Sequence, residues 1–173
     1  TILATLLLFA SLKAFCGVVD HDVMYQAYLG NNMSVWKTEL QKYTTSPNLT
    51  TTDKLEISNY LYGYIATLLT DADKNKQEII NWIDLWEQYL NDIEKATGKN
   101  AYVYVYRSSI NAYKSKVKAG GMMVWGPRSL TELKRALATD PNNPLANGLK
   151  GNMLFYMPSF VGGDKIEAIK WFE

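Results

Sequence analysis

The sequence predicts an all-α protein, built from antiparallel helical hairpins joined by short loops. Three observations lead there. Beyond residue 20, apolar side chains recur at steps of three and four, the spacing of one helix face. Polar breaks carrying Gly, Pro, Asn or Asp separate these stripes at short intervals. No run sustains the period-two alternation of a strand, because "YVYVY" at 102–106 sits inside a longer helical stripe.

Taken in order, residues 1–16 stand apart. An apolar run from Ile2 to Ala10 followed by small residues reads as the h-region of a secretory signal. It is too short for a spanning helix, which needs roughly 20 apolar residues. No initiator Met or basic n-region precedes it, so the expectation is a chain that starts inside its original reading frame. Ala14 and Cys16 suit the small positions of a cleavage site, which puts the mature start near Gly17. Lipid anchoring at Cys16 is not expected, since Lys13 and Phe15 stand where a lipobox wants Leu and a small residue. The reading is an exported domain over 17–173, periplasmic or secreted.

Within that domain, Met33, Trp36, Leu40 and Tyr43 form one stripe, and Ile57, Leu61, Tyr64 and Leu68 a second. Ile79, Trp82 or Ile83, Trp86, Leu90 and Ile93 make a longer third; Tyr102, Tyr106, Ile110, Tyr113 and Val117 make a fourth. The expected breaks are "GNN" at 30–32, the linker "TTSPNLTTTD" at 44–53, "TDADKNK" at 70–76, "TGKN" at 97–100, "AGGMMVWGP" at 119–127 and "DPNNP" at 140–144. Thr52 or Asp53 suits an N-cap, Gly98 a helix C′ position, and Pro127 a helix start.

Composition narrows the function classes. A chain of 173 residues, 47% hydrophobic, can bury a sizeable core. Eighteen basic and seventeen acidic side chains nearly cancel and form no long block, so nucleic acid is not an expected partner. With Cys16 the single cysteine, neither a disulfide framework nor a thiolate metal site is expected, and no metal or cofactor is called for.

The stretches that resemble catalytic or ligand motifs read more simply as structure. "MPSFVGGDK" at 157–165 offers a double glycine before a helix, yet Asp164 separates Gly163 from Lys165 and no hydroxyl follows, unlike a P-loop. Asp164 suits a helix cap, so a turn is expected there. "DADKNKQEIINW" at 71–82 touches the calcium-loop pattern with Asp71, Asp73 and Asn75, but Lys76 and Trp82 occupy its key positions. His21 is the sole histidine and lacks the partners of a zinc or triad site. Asp84 and Glu87 read as a solvated helix face rather than a glycosidase pair. Asn32 and Asn48 head two sequons, which would be glycan acceptors in a eukaryotic secretory path and are chance matches if the source is bacterial. The surplus is aromatic, with twelve tyrosines and five tryptophans. Tyr60, Tyr62 and Tyr64, and then Tyr102, Tyr104 and Tyr106, place rings on more than one helix face. Core packing accounts for most of them. A ligand- or peptide-lining role is expected at Tyr102, Tyr106 and Arg107.

Over residues 128–173 the chain resembles the tetratricopeptide repeat family. Ser129, Leu133, Ala136 and Pro141 fit the small, large, small and Pro slots of a second repeat helix. In the same register Gly151 takes the small position of the next first helix, and Ala168 and Phe172 those of its second, five residues late because of the "PSFVGG" insertion. Asn147 and Lys150 depart from the family's apolar preference, and the upstream hairpins lack the signature. The loop and the "GNNMSVWKTELQKY" segment look similar to exported, divergent repeat proteins of Bacteroidetes-type bacteria. The resemblance implies a TPR-like right-handed solenoid with a concave binding face, incomplete at its C-terminus, and no intrinsic catalysis. It implies a protein-interaction scaffold with a protein or peptide partner, or alternatively a small-ligand-binding accessory protein of a periplasmic solute transporter.

Overall fold

A computed structural model describes residues 18–172, so the signal-sequence expectation for 1–16, Cys16 included, lies outside the described residues. The all-α expectation is borne out: among the described residues there are eight α-helices and no strand. They are α1 (His21–Leu29), α2 (Met33–Thr44), α3 (Thr51–Leu68), α4 (Ala72–Thr97), α5 (Ala101–Val117), α6 (Gly121–Thr139), α7 (Pro144–Tyr156) and α8 (Lys165–Phe172). No helix among them is long and apolar enough to cross a membrane. The chain divides after Tyr64 into two compact units.

In the first unit the caps fix where helices begin. Asp20 Oδ1 accepts from Val23 N at 3.1 Å and opens α1, and Asn32 Oδ1 accepts from Val35 N at 3.3 Å and opens α2. The cap of α3 is Thr50, not the expected Thr52 or Asp53. Thr50 Oγ1 accepts from Asp53 N at 3.1 Å, while Thr50 N donates to Asp53 Oδ2 at 2.9 Å, a reciprocal capping box. The reason is positional: a carboxylate three residues into the helix reaches back, so Asp53 serves best inside the first turn. Trp36, Leu40, Tyr43, Ile57, Leu61 and Tyr64 are buried, as their spacing predicts.

That box carries a pH dependence. The Thr50 hydroxyl, with the Thr50 and Val18 amides, holds the Asp53 carboxyl below its ordinary value against an opposing effect of burial. A depressed folded-state pKa stabilises the fold above the unfolded value of 3.8 and loses that effect as pH falls through the folded value. Denaturant unfolding followed from pH 6 downward should therefore show a shallower acid decline in Asp53→Asn than in the parent chain. An unchanged slope would remove Asp53 from the acid response.

In the second unit α4 buries Ile79, Trp82, Ile83, Trp86, Tyr89, Leu90 and Ile93 along one stripe. Gly98, with φ of +74°, ends it, and its N–H donates to Glu94 O at 2.8 Å. The calcium-like stretch falls within this region as helix: Asp73 and Asn75 lie in α4, and Asn75 Nδ2 donates to Leu68 O at 3.0 Å. Helix α5 packs on α4, α6 and α7, α6 also packs on α7, and α7 packs on α8. A helix with neighbours on several sides buries side chains on more than one face. That is the case for α5, whose Val103, Tyr104, Val105, Tyr106, Ser108, Ser109 and Ile110 are all buried.

Helix α6 starts at Gly121, six residues before the expected start at Pro127, which instead lies inside the helix. The first turns are held from outside the backbone ladder. Trp125 Nε1 donates to Ala119 O at 3.0 Å, and the ring lies under Lys114 (5.1 Å) and Arg128 (4.7 Å). Lys114, itself buried, meets both Glu87 oxygens at 2.7 Å. Those side-chain contacts offset the backbone hydrogen bond that proline cannot donate.

Close helix approach depends on small residues. Ser108 Oγ donates to Ser129 O at 2.8 Å and lies 3.0 Å from Ser129 Oγ, with both residues buried between α5 and α6. Leu133 and Ala136 join Tyr104, Val105 and Ala146 in one apolar cluster. Between α7 and α8, Ala168 is fully buried, and a Cβ placed on Gly151 would come within 2.7 Å of the Phe172 ring. Pro141 sits in the turn after α6, followed by Asn143, whose Oδ1 caps α7. Replacing Ser108 by Ala should lower stability by about 1 kcal/mol, the usual worth of such a bond. Ser108→Leu should cost more, because it must push two helices apart; urea denaturation of both variants measures the difference.

Candidate functional site

The first unit carries an aromatic groove of about 570 Å³, bordered by α1, α2 and α3. Met24 and Ala27 bury one face of α1, which leaves Tyr25 and Tyr28, one turn apart, 58% and 64% exposed. Both line the groove. Its inner wall is Trp36, 8% exposed, which meets Tyr28 edge-on at 6.2 Å and Tyr60 edge-on at 6.4 Å. Gly63 leaves room for that ring, since a Cβ there would lie 3.2 Å from the indole, a tight contact. Tyr62, Asn59, Asp22 and His21 complete the lining. The Trp36 indole N–H is buried and has no hydrogen-bond partner in the protein.

His21 is held at both nitrogens. Nε2 lies 2.8 Å from Glu56 Oε1 and Nδ1 lies 3.0 Å from the Tyr60 hydroxyl. Burial, with Glu56 adding to it, raises the Tyr60 phenol above its ordinary value, so Tyr60 keeps its proton. With Nδ1 as the acceptor, the phenol O–H can donate to it and Nε2–H can donate to Glu56. A carboxylate, an imidazole and a protonated phenol in line fix the ring positions of the groove. A phenol made less acidic is a poor nucleophile.

The residues expected to line a ligand site are placed differently from one another. Tyr102 is exposed, but Tyr106 is buried against Trp86, with ring centroids 5.4 Å apart. Arg107 forms an ion pair with Glu94 at 2.7 Å and donates to Asn91 Oδ1 at 2.8 Å. It borders a second cavity, of about 580 Å³, with Lys99, Tyr104, Arg135 and Thr139. Arg135 is in turn paired with Glu132 at 2.8 Å, so both guanidinium groups already face a carboxylate. Tyr102, Tyr106 and Arg107 therefore do not converge on one surface. Tyr60 and Tyr62 do reach a groove, together with Tyr25 and Tyr28, whose i, i+3 spacing beside the buried Met24 and Ala27 is the sequence signal for it.

The double-glycine loop is a structural turn. A 3-10 turn at Ser159–Val161 leads to Gly162 at φ of +99°, then Gly163 N donates to Pro158 O at 3.1 Å and Asp164 N to Leu154 O at 3.0 Å. Asp164 Oδ1 accepts from Ile166 N and Glu167 N, both at 2.9 Å, which occupies the N–H groups an anion would need. Around it, Phe155, Tyr156, Phe160, Ile166, Ile169 and Phe172 remain exposed, between 39% and 87%. Among the described residues no group of three or more His, Cys, Asp or Glu could hold a metal ion. Comparison with protein-family profiles, with curated proteins and with solved structures returns no match.

Proposed function

We propose that the chain is a non-enzymatic protein-interaction scaffold of the bacterial periplasm or cell envelope, its hairpins arranged as a TPR-like right-handed solenoid. The observation that supports it is the apolar surface of the α7–α8 hairpin and its loop. Six large apolar side chains stand in solvent there, while Ala168 and Gly151 satisfy the packing between the two helices. Large apolar side chains gathered in solvent on one hairpin favour contact with another macromolecule. The packing of α5 on both α6 and α7, through the Ser108–Ser129 contact and the Leu133–Ala136 cluster, is compatible with stacked hairpins and supports that reading.

Affinity capture from an envelope extract tests this. The parent chain should retain a partner that a Phe160→Ser, Ile169→Ser variant of unchanged helicity releases. Capture of nothing above background, together with small molecules that raise the melting temperature, would overturn it.

A second reading, a small-ligand-binding accessory protein of a periplasmic solute transporter, is favoured by the aromatic groove. Its volume falls in the range of small-molecule sites, roughly 300–1,000 Å³, and its exposed tyrosines contribute little to the core.

A further inference from the structure

We propose that the groove between α1, α2 and α3 binds an organic ammonium group, either quaternary or a substituted amine. The inference rests on the ligand-binding reading of that groove and adds the chemistry of the ligand. Five aromatic residues border the space: Tyr25, Tyr28, Trp36, Tyr60 and Tyr62. Aromatic faces are negative and attract a cation placed over them. Tyr25 and Tyr28, each more than half exposed, stand at the opening, where an entering ligand meets them first.

Charge selects the sign of the ligand. Asp22 lines the groove, and no Lys or Arg does. Glu56 sits directly behind His21 at 2.8 Å, a second carboxylate close to the groove. Phosphates and carboxylates find no cationic partner in such a lining, whereas a weakly hydrated ammonium finds rings and a carboxylate. Apolar methyl groups on the nitrogen suit the rest of the wall, which Met24, the Trp36 ring and Gly63 supply.

Calorimetric titration of the full chain with choline, tetramethylammonium, glucose and inorganic phosphate tests the inference. Choline and tetramethylammonium should bind, and glucose and phosphate should not. Tyr28→Ala should weaken choline by about tenfold, the scale of a lost cation–π contact, while Tyr28→Phe keeps it. Asp22→Asn should weaken it while the helix content seen by circular dichroism stays unchanged. Because Tyr28 also packs on Trp36, Tyr25→Ala serves as a second variant, with circular dichroism confirming the fold of each. Choline binding that survives both alanine variants would overturn the inference, as would no ammonium binding at millimolar concentration. Glucose binding with equal affinity would also overturn it and yet leave the groove as a ligand site.

Discussion

Gly163→Ala should destabilise the chain by about 3 kcal/mol or more, at the upper end of what single substitutions do. A Cβ at this position would overlap the Met157 carbonyl oxygen and lie 2.6 Å from its carbon, both backbone atoms at the end of α7. Backbone cannot swing aside as a side-chain tip can. The two hydrogen bonds that close the loop, from Gly163 N and Asp164 N, would have to open together with the cap on α8. For a chain of this length that corresponds to a fall in melting temperature of about 6–12 °C. Gly162→Ala is the control. Its φ of +99° is strained for alanine, but nothing lies within 4 Å, so only a backbone cost of about 1 kcal/mol is expected. Equal losses in the two variants would mean that the Met157 contact does not decide the loop.

Trp86→Ala should be comparably severe, at about 3–5 kcal/mol for a fully buried aromatic. The ring is fully buried in α4 and packs on Tyr106 at 5.4 Å and on Tyr113 at 6.4 Å. Trp86→Phe should lose much less than its change in area suggests. The indole N–H is buried and has no hydrogen-bond partner in the protein, a group that costs about 1–3 kcal/mol to desolvate. Removing that N–H offsets part of the lost ring contact. Thermal and urea unfolding of both variants gives the comparison, and a phenylalanine variant as unstable as the alanine one would show that the ring volume alone matters.

The fold class was legible because helix periodicity is a local property. Ile79, Ile83, Trp86, Leu90 and Ile93 are spaced as one face and are buried as one face. "YVYVY" is helical despite the strand preference of its residues, because the stripe through Ile110 and Val117 continues it and tertiary packing overrides propensity. Helix starts were less legible. Thr50, rather than its neighbours, caps α3, and Pro127 lies within α6, since in both cases a side chain from elsewhere in the sequence or the turn supplies what the backbone lacks. The candidate site was the least legible. Rings on two faces of a helix look like a surplus when one buried face is assumed, yet α5 has neighbours on α4, α6 and α7 and buries Tyr104 and Tyr106 together. Part of the surplus that does reach solvent is on α1, beside Trp36, and the groove it lines depends on three helices meeting. Ser108 was silent for the same reason: its partner Ser129 lies 21 positions away.

The central place of α5 also sets how the second unit opens. A helix that shares its sides with three others cannot leave alone, so its backbone amides should exchange with deuterium only when the whole unit comes apart. The first turns of α6 differ: Pro127 interrupts their hydrogen-bond ladder, and Met122 and Met123 stand exposed. Held there by the Trp125 contacts rather than by a complete ladder, that segment should exchange before α5, a local breathing motion on a unit that otherwise yields all at once.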